Sequence, residues 1–172
     1  MLTPLENQNP TNDHAFKLQA ALVSKTWKMC SAESLTGGLI SAEMTASPGA
    51  SQWWNGALVV YSNEAKTKLL GISEAMLRDE GPVSNNVAEN MAVAALMRSN
   101  SNISVAVTGV AGPDSDEMGN PVGTVYIANA WWGSDGWVKS HVTKHAFEGS
   151  RHDIRDQTVQ EAMAQTLHVM NT

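Results

Sequence analysis

Short apolar runs alternate with stretches of helical periodicity along the chain, and that alternation leaves an α/β domain as the arrangement that buries both kinds of element. DHAFKLQAALVSK, Asp13 to Lys25, repeats apolar residues at helical spacing, with Asn12 or Asp13 as its cap. TWKMCSA is a strand pattern that stops at Ala32, and GGLISAEMTA is a helix that ends before Pro48. The continuous run GALVVYS, Gly56 to Ser62, suits a buried strand whose carboxyl end carries Tyr61 and Ser62. Two short helices follow, one capped by Ser62 or Asn63 and stopped by Gly71, the next from Ser73 to Gly81. VSNNVAENMAVAALMRSN is helical, ISVAVTGV is a strand, and TVYIANAWW with WVKSHVTKHAF around a GSDG turn reads as a hairpin. The last helix opens on Ser150 and Asp153 in an acidic version of the capping box, with Ile154, Thr158, Met163, Leu167 and Met170 as one buried face. The expected fold is one three-layer α/β/α domain over residues 13–172, its sheet mixed because of the hairpin.

A length of 172 residues suits a single domain, and the polar, proline-containing residues 1–12 read as a loose lead-in. A net charge of −6 argues against a nucleic-acid partner, which demands clustered Lys and Arg. Cys30 is alone and cannot close an internal disulfide, and neither a signal-peptide pattern nor a membrane-length apolar run is present, so a cytoplasmic protein without a membrane partner is expected. The six tryptophans read as core and interface packing. His141 and His145 share a strand face without a third ligand, and DSDEMG lacks the distal glutamate of a calcium loop; no metal or cofactor is expected.

Ligands of such sheets bind beyond the carboxyl ends of the strands, where AESLTGG, YSNEAK and TGVAGPD lie. Ser34 precedes Thr36, Gly37 and Gly38, so it is either the N-cap of a helix or a nucleophile beside N–H groups that hold an oxyanion. Glu33 either orients that turn or is a solvated carboxylate. No histidine adjoins the three loops in sequence, and Tyr61 and Lys66 offer another activator, since lysine can take a serine proton and tyrosine can relay it. The plain alternatives are a buried strand aromatic for Tyr61 and a surface lysine for Lys66, with Lys68 as its rival.

AESLTGG, PGAS, YSNEAK, TGVAGPD, NPVGTVY and FEGSRHDIR, in that order, resemble the carboxyl-terminal domain of the competence-damage-inducible CinA family over about Ala15 to Leu167. Leu35 stands where that family often has Cys, and Val110 where Ile is frequent; neither change removes a polar group. The resemblance implies a three-layer fold, a stand-alone form of the domain, a possible homodimer, and conversion of nicotinamide mononucleotide to nicotinate mononucleotide and ammonia. It places family catalysis on Ser34, Tyr61 and Lys66, with an oxyanion held by amides near Thr36, Gly37 and Gly38. Within the same motifs, Ser51 and Asn63 are further candidates to touch this small-molecule nucleotide substrate. Its phosphate would fall to Thr108, the amides of Gly109, Ala111 and Gly112, and Arg151 or Arg155, or both arginines face solvent. The rivals are a noncatalytic nucleotide- or partner-binding module in which Ser34 only caps a helix, and hydrolysis of a pyrophosphate bond, for which a magnesium-holding carboxylate cluster is missing from the sequence.

Overall fold

The computed structural model describes residues 13–172, so the lead-in over 1–12 and the alternative cap Asn12 lie outside the described residues. Five strands, β1 (Met29–Glu33), β2 (Trp54–Val59), β3 (Ile103–Gly109), β4 (Thr124–Trp132) and β5 (Val138–Ala146), form one sheet in the order β2-β1-β3-β4-β5. β2, β1 and β3 run parallel, and β4 pairs antiparallel with both β3 and β5, so the sheet is mixed as expected.

Alternation along the strands sorts two cores. Met29 of β1 and Val105 and Val107 of β3 face α1 (Asp13–Lys25), α2 (Leu39–Thr45) and α6 (Arg151–Met170). Cys30, Ala32 and Ala106 face the other layer, which contains α4 (Glu74–Asp79) and α5 (Asn85–Arg98). Ser150 and Asp153 form the capping box of α6, whose Ile154, Thr158, Met163 and Met170 are buried while Leu167 packs at the core's margin. Trp53 and Trp54 are buried, but Trp137 on the hairpin is 74% exposed, so tryptophan is not uniformly a core residue here.

Two boundaries differ from the sequence reading in ways that shape the site. β1 continues through Glu33, and β2 starts at Trp54 and stops at Val59: the Val60 N–H still bonds the Glu33 carbonyl of β1, and the chain then leaves the sheet where the Ser62 hydroxyl caps the next helix. Tyr61 therefore lies past the strand end. The short helix α3 (Asn63–Ala65) runs into a π turn over Lys66–Leu70, a local widening often found at functional sites. No helix among the described residues is long and apolar enough to cross a membrane.

Candidate active site

The carboxyl edge of the parallel strands is organised around Glu33, whose side chain is fully buried. It accepts hydrogen bonds from the Ser31 and Thr36 hydroxyls at 3.0 and 2.8 Å, and from the N–H groups of Gly38, Ile40 and Ser41 at 2.9, 3.1 and 2.9 Å. A carboxylate here meets the positive end of α2 and satisfies donors that a helix start otherwise leaves open. Gly37 and Gly38 have φ of 61° and 102°, the left-handed region, which lets the turn fold back onto that carboxylate. Of the two readings of Glu33, the orienting one holds.

The same contacts correct the oxyanion expectation. Gly37 N–H is donated to the Ser34 carbonyl and Gly38 N–H to Glu33, so neither amide is free for an anion. Among the described residues, no acceptor pairs with the N–H of Leu35 or Thr36. These two amides directly follow Ser34, whose own N–H is held by the Val107 carbonyl at 3.1 Å.

Lys66 is 2% exposed, and its Nζ lies 3.1 Å from Ser34 Oγ, 3.2 Å from the Val60 carbonyl and 3.3 Å from the Tyr61 carbonyl. Burial pulls its pKa down to about 8. A neutral amine has two N–H donors and one lone pair, and the two carbonyls can only accept. As an ammonium Lys66 donates to all three oxygens, and in the neutral form the two carbonyls take its two hydrogens and leave the lone pair to the Ser34 hydroxyl. Lys68, the rival, is 72% exposed and pairs with Glu64 one helical turn earlier.

A cavity of about 200 Å³ opens over this pair, lined by Ser34, Leu35, Tyr61, Asn63, Lys66, Pro82, Val83, Thr108, Gly109, Ala111 and Arg151. Thr108 donates its hydroxyl hydrogen to the Pro82 carbonyl at 2.7 Å, which ties β3 to the loop before α5. The Tyr61 phenol accepts from Arg151 Nη2 at 3.0 Å, so it is engaged with the arginine and not with Lys66 or Ser34. Arg151 also donates to the Gly112 carbonyl at 2.7 Å and spans the cavity mouth. Gly112 thus presents its oxygen, not its amide, to that side chain. Arg155, expected near a phosphate or in solvent, does neither with its bonded N–H groups, which hold the carbonyls of Leu35 and Thr36. Ser51 sits in a 3-10 turn, Ala50–Gln52, just before β2 begins. A strand of six residues spans roughly 20 Å. Ser51 therefore lies at the opposite edge of the sheet from Ser34. Among the described residues no group of three or more His, Cys, Asp or Glu side chains is placed to hold a metal ion.

The CinA C-terminal domain model matches residues 11–170. This chain belongs to the CinA C-terminal domain family. It is 42% identical to nicotinamide-nucleotide amidohydrolase PncC of Enterobacter agglomerans over 83% of this chain and 85% of that protein. A protein of the same name from Pseudomonas putida is 41% identical over 90% of this chain and 94% of its own length. Among solved structures, competence/damage inducible protein CihA from Agrobacterium tumefaciens superposes with a TM-score of 0.84 at 33% identity, covering 100% of this chain and 99% of that one.

Within this CinA domain, sequence reasoning missed Leu35, Pro82 and Val83 as cavity residues. Leu35, Pro82 and Val83 are apolar and carry no chemistry that a sequence pattern could single out, and the sequence left Glu33 open between an orienting and a solvated carboxylate.

Proposed function

We propose that this chain is a nicotinamide-nucleotide amidohydrolase, converting nicotinamide mononucleotide to nicotinate mononucleotide and ammonia in pyridine nucleotide recycling. One observation carries the reading: the buried Lys66 amine sits 3.1 Å from the Ser34 hydroxyl with both of its other partners restricted to accepting. The family relatives named for this reaction supply the substrate.

Ser34 Oγ attacks the carboxamide carbon while Lys66 Nζ takes the hydroxyl proton. The carboxamide oxygen becomes negative and is held by the N–H of Leu35, which lines the cavity. Collapse of the tetrahedral adduct breaks the C–N bond, and the ammonium of Lys66 returns its proton to the departing nitrogen as ammonia. Water then attacks the Ser34 ester, Lys66 accepts a water proton, and the proton passes back to Ser34 as nicotinate mononucleotide leaves. Direct transfer at this distance needs no relay through the Tyr61 phenol. Its ring, at the cavity wall and 61% exposed, offers a π face to the cationic pyridinium instead. Arg151 lines the cavity and carries the charge that suits a phosphate, and Asn63, Thr108, Gly109 and Ala111 share that lining as its further candidates.

The test is release of ammonia from nicotinamide mononucleotide by metal-stripped protein. Ser34→Ala should keep substrate binding and lose about 10⁴–10⁶-fold in turnover, the scale of removing a serine nucleophile. Turnover near that of the unaltered protein in this variant would refute the assignment, and no ammonia from the unaltered protein would leave the site a binding module.

A further inference from the structure

We infer that Arg155 is a positioning residue for turnover: from α6 it holds the Leu35 and Thr36 carbonyls and so fixes the turn that presents Ser34 and the Leu35 N–H to the reacting carbonyl, and it is not a ligand of the substrate phosphate. The inference rests on the serine-amidase reading above and adds a residue to it.

Arg155 Nε donates to the Leu35 carbonyl at 3.0 Å and Nη2 to the Thr36 carbonyl at 2.9 Å, with the side chain half-buried. A planar guanidinium grips two successive carbonyls in a way that one ammonium cannot. Leu35 C=O and Thr36 N–H belong to one planar trans peptide and point in opposite directions. Fixing that carbonyl on α6 therefore fixes the plane of the peptide that directly follows Leu35. The other amides of the turn are accounted for, Ser34 by Val107 and Gly37 and Gly38 by Ser34 and Glu33. Thr36 is fully buried and does not line the cavity, whereas Leu35 does, and the Leu35 N–H has no acceptor among the described residues, so a bound group can supply one. The carbonyl oxygen attacked by Ser34 is such a group. Arg151, one helical turn earlier, lines the cavity, whereas Arg155 does not. The two arginines of α6 thus divide the work, one meeting the substrate and one shaping the peptide.

The experiment compares steady-state kinetics of unaltered protein, Arg155→Met, Arg155→Lys and Arg151→Met on nicotinamide mononucleotide and nicotinamide riboside. It also measures the rate at which a fluorophosphonate probe labels Ser34 in the folded fraction of each, which reports the same peptides without nicotinamide. Both Arg155 variants should lose about 10²-fold in kcat, the scale of one oxyanion donor. Their KM should stay within about three-fold and their preference for the phosphorylated substrate should persist. Labelling of Ser34 should slow in parallel, less in Arg155→Lys than in Arg155→Met. Arg151→Met should instead raise KM and erase the phosphate preference. Unchanged kcat and labelling in the Arg155 variants, or a raised KM with loss of phosphate preference, would overturn the inference. If the unaltered protein leaves the mononucleotide intact while labelling still depends on Arg155, the substrate assignment fails and the positioning role stands.

Discussion

Replacing Lys66 by Met should abolish turnover and at the same time make stability depend on pH differently from the unaltered protein. The folded-state pKa of Lys66 is about 8, below the ordinary 10.5, because burial disfavours the ammonium. Above both values neither state binds this proton. As pH falls between them the unfolded chain takes up the proton and the folded one does not, so the unfolded state gains and stability drops; below about 8 both bind it and the loss is complete. Between pH 10 and pH 7 this single group should cost the unaltered protein about 2–3 kcal/mol that Lys66→Met does not lose. The variant forfeits the hydrogen bonds to the Val60 and Tyr61 carbonyls, but that loss is the same at every pH and shifts only the baseline. For a chain of this size the difference amounts to about 5–10 °C in the melting midpoint. Paired urea or thermal melts at pH 7, 8, 9 and 10 measure it. A stability difference that stays flat across that range would show that Lys66 keeps an ordinary pKa and cannot be the neutral base.

The kcat/KM profile of the deamidation should fall on the acid side with an inflection near 8 as Lys66 protonates, and an inflection far from that value would point to another base. Lys66→Arg should be inactive, since arginine stays protonated, whereas Lys68→Ala should be silent because that side chain is 72% exposed; the reverse pattern would identify the wrong lysine. Tyr61→Phe keeps the ring and should hold turnover within about ten-fold, while a loss of about 10³-fold or more would reinstate a phenol relay. Glu33→Gln places an NH₂ group among five donors and should destabilise the fold by about 3 kcal/mol, lowering the melting midpoint by about 6–12 °C; an unchanged midpoint would refute the cap.

The kinds of element and their order were written in local periodicity, which backbone preferences over three or four residues enforce. The capping box at Ser150 and Asp153, the left-handed turn at Gly37 and Gly38, and the nearness of Ser34, Tyr61 and Lys66 to one sheet edge could be read this way. Choices between neighbours could not. Lys66 and Lys68 are two residues apart in one π turn, and only packing against β1 and β2 decides which is buried and which pairs with Glu64 in solvent. Tyr61 continues a good strand pattern, yet the strand ends before it because Ser62 caps the helix that follows. PGAS and AESLTGG are close in sequence, but β1 and β2 are parallel and place Ser51 and Ser34 at opposite edges. Arg155 reaches a loop 120 positions away, where it holds carbonyls that no local pattern marks. Hydrogen-bond demand is local to each residue, but the group that meets it is chosen by the fold, and that is why residue types could be read from the sequence while their partners had to come from tertiary structure.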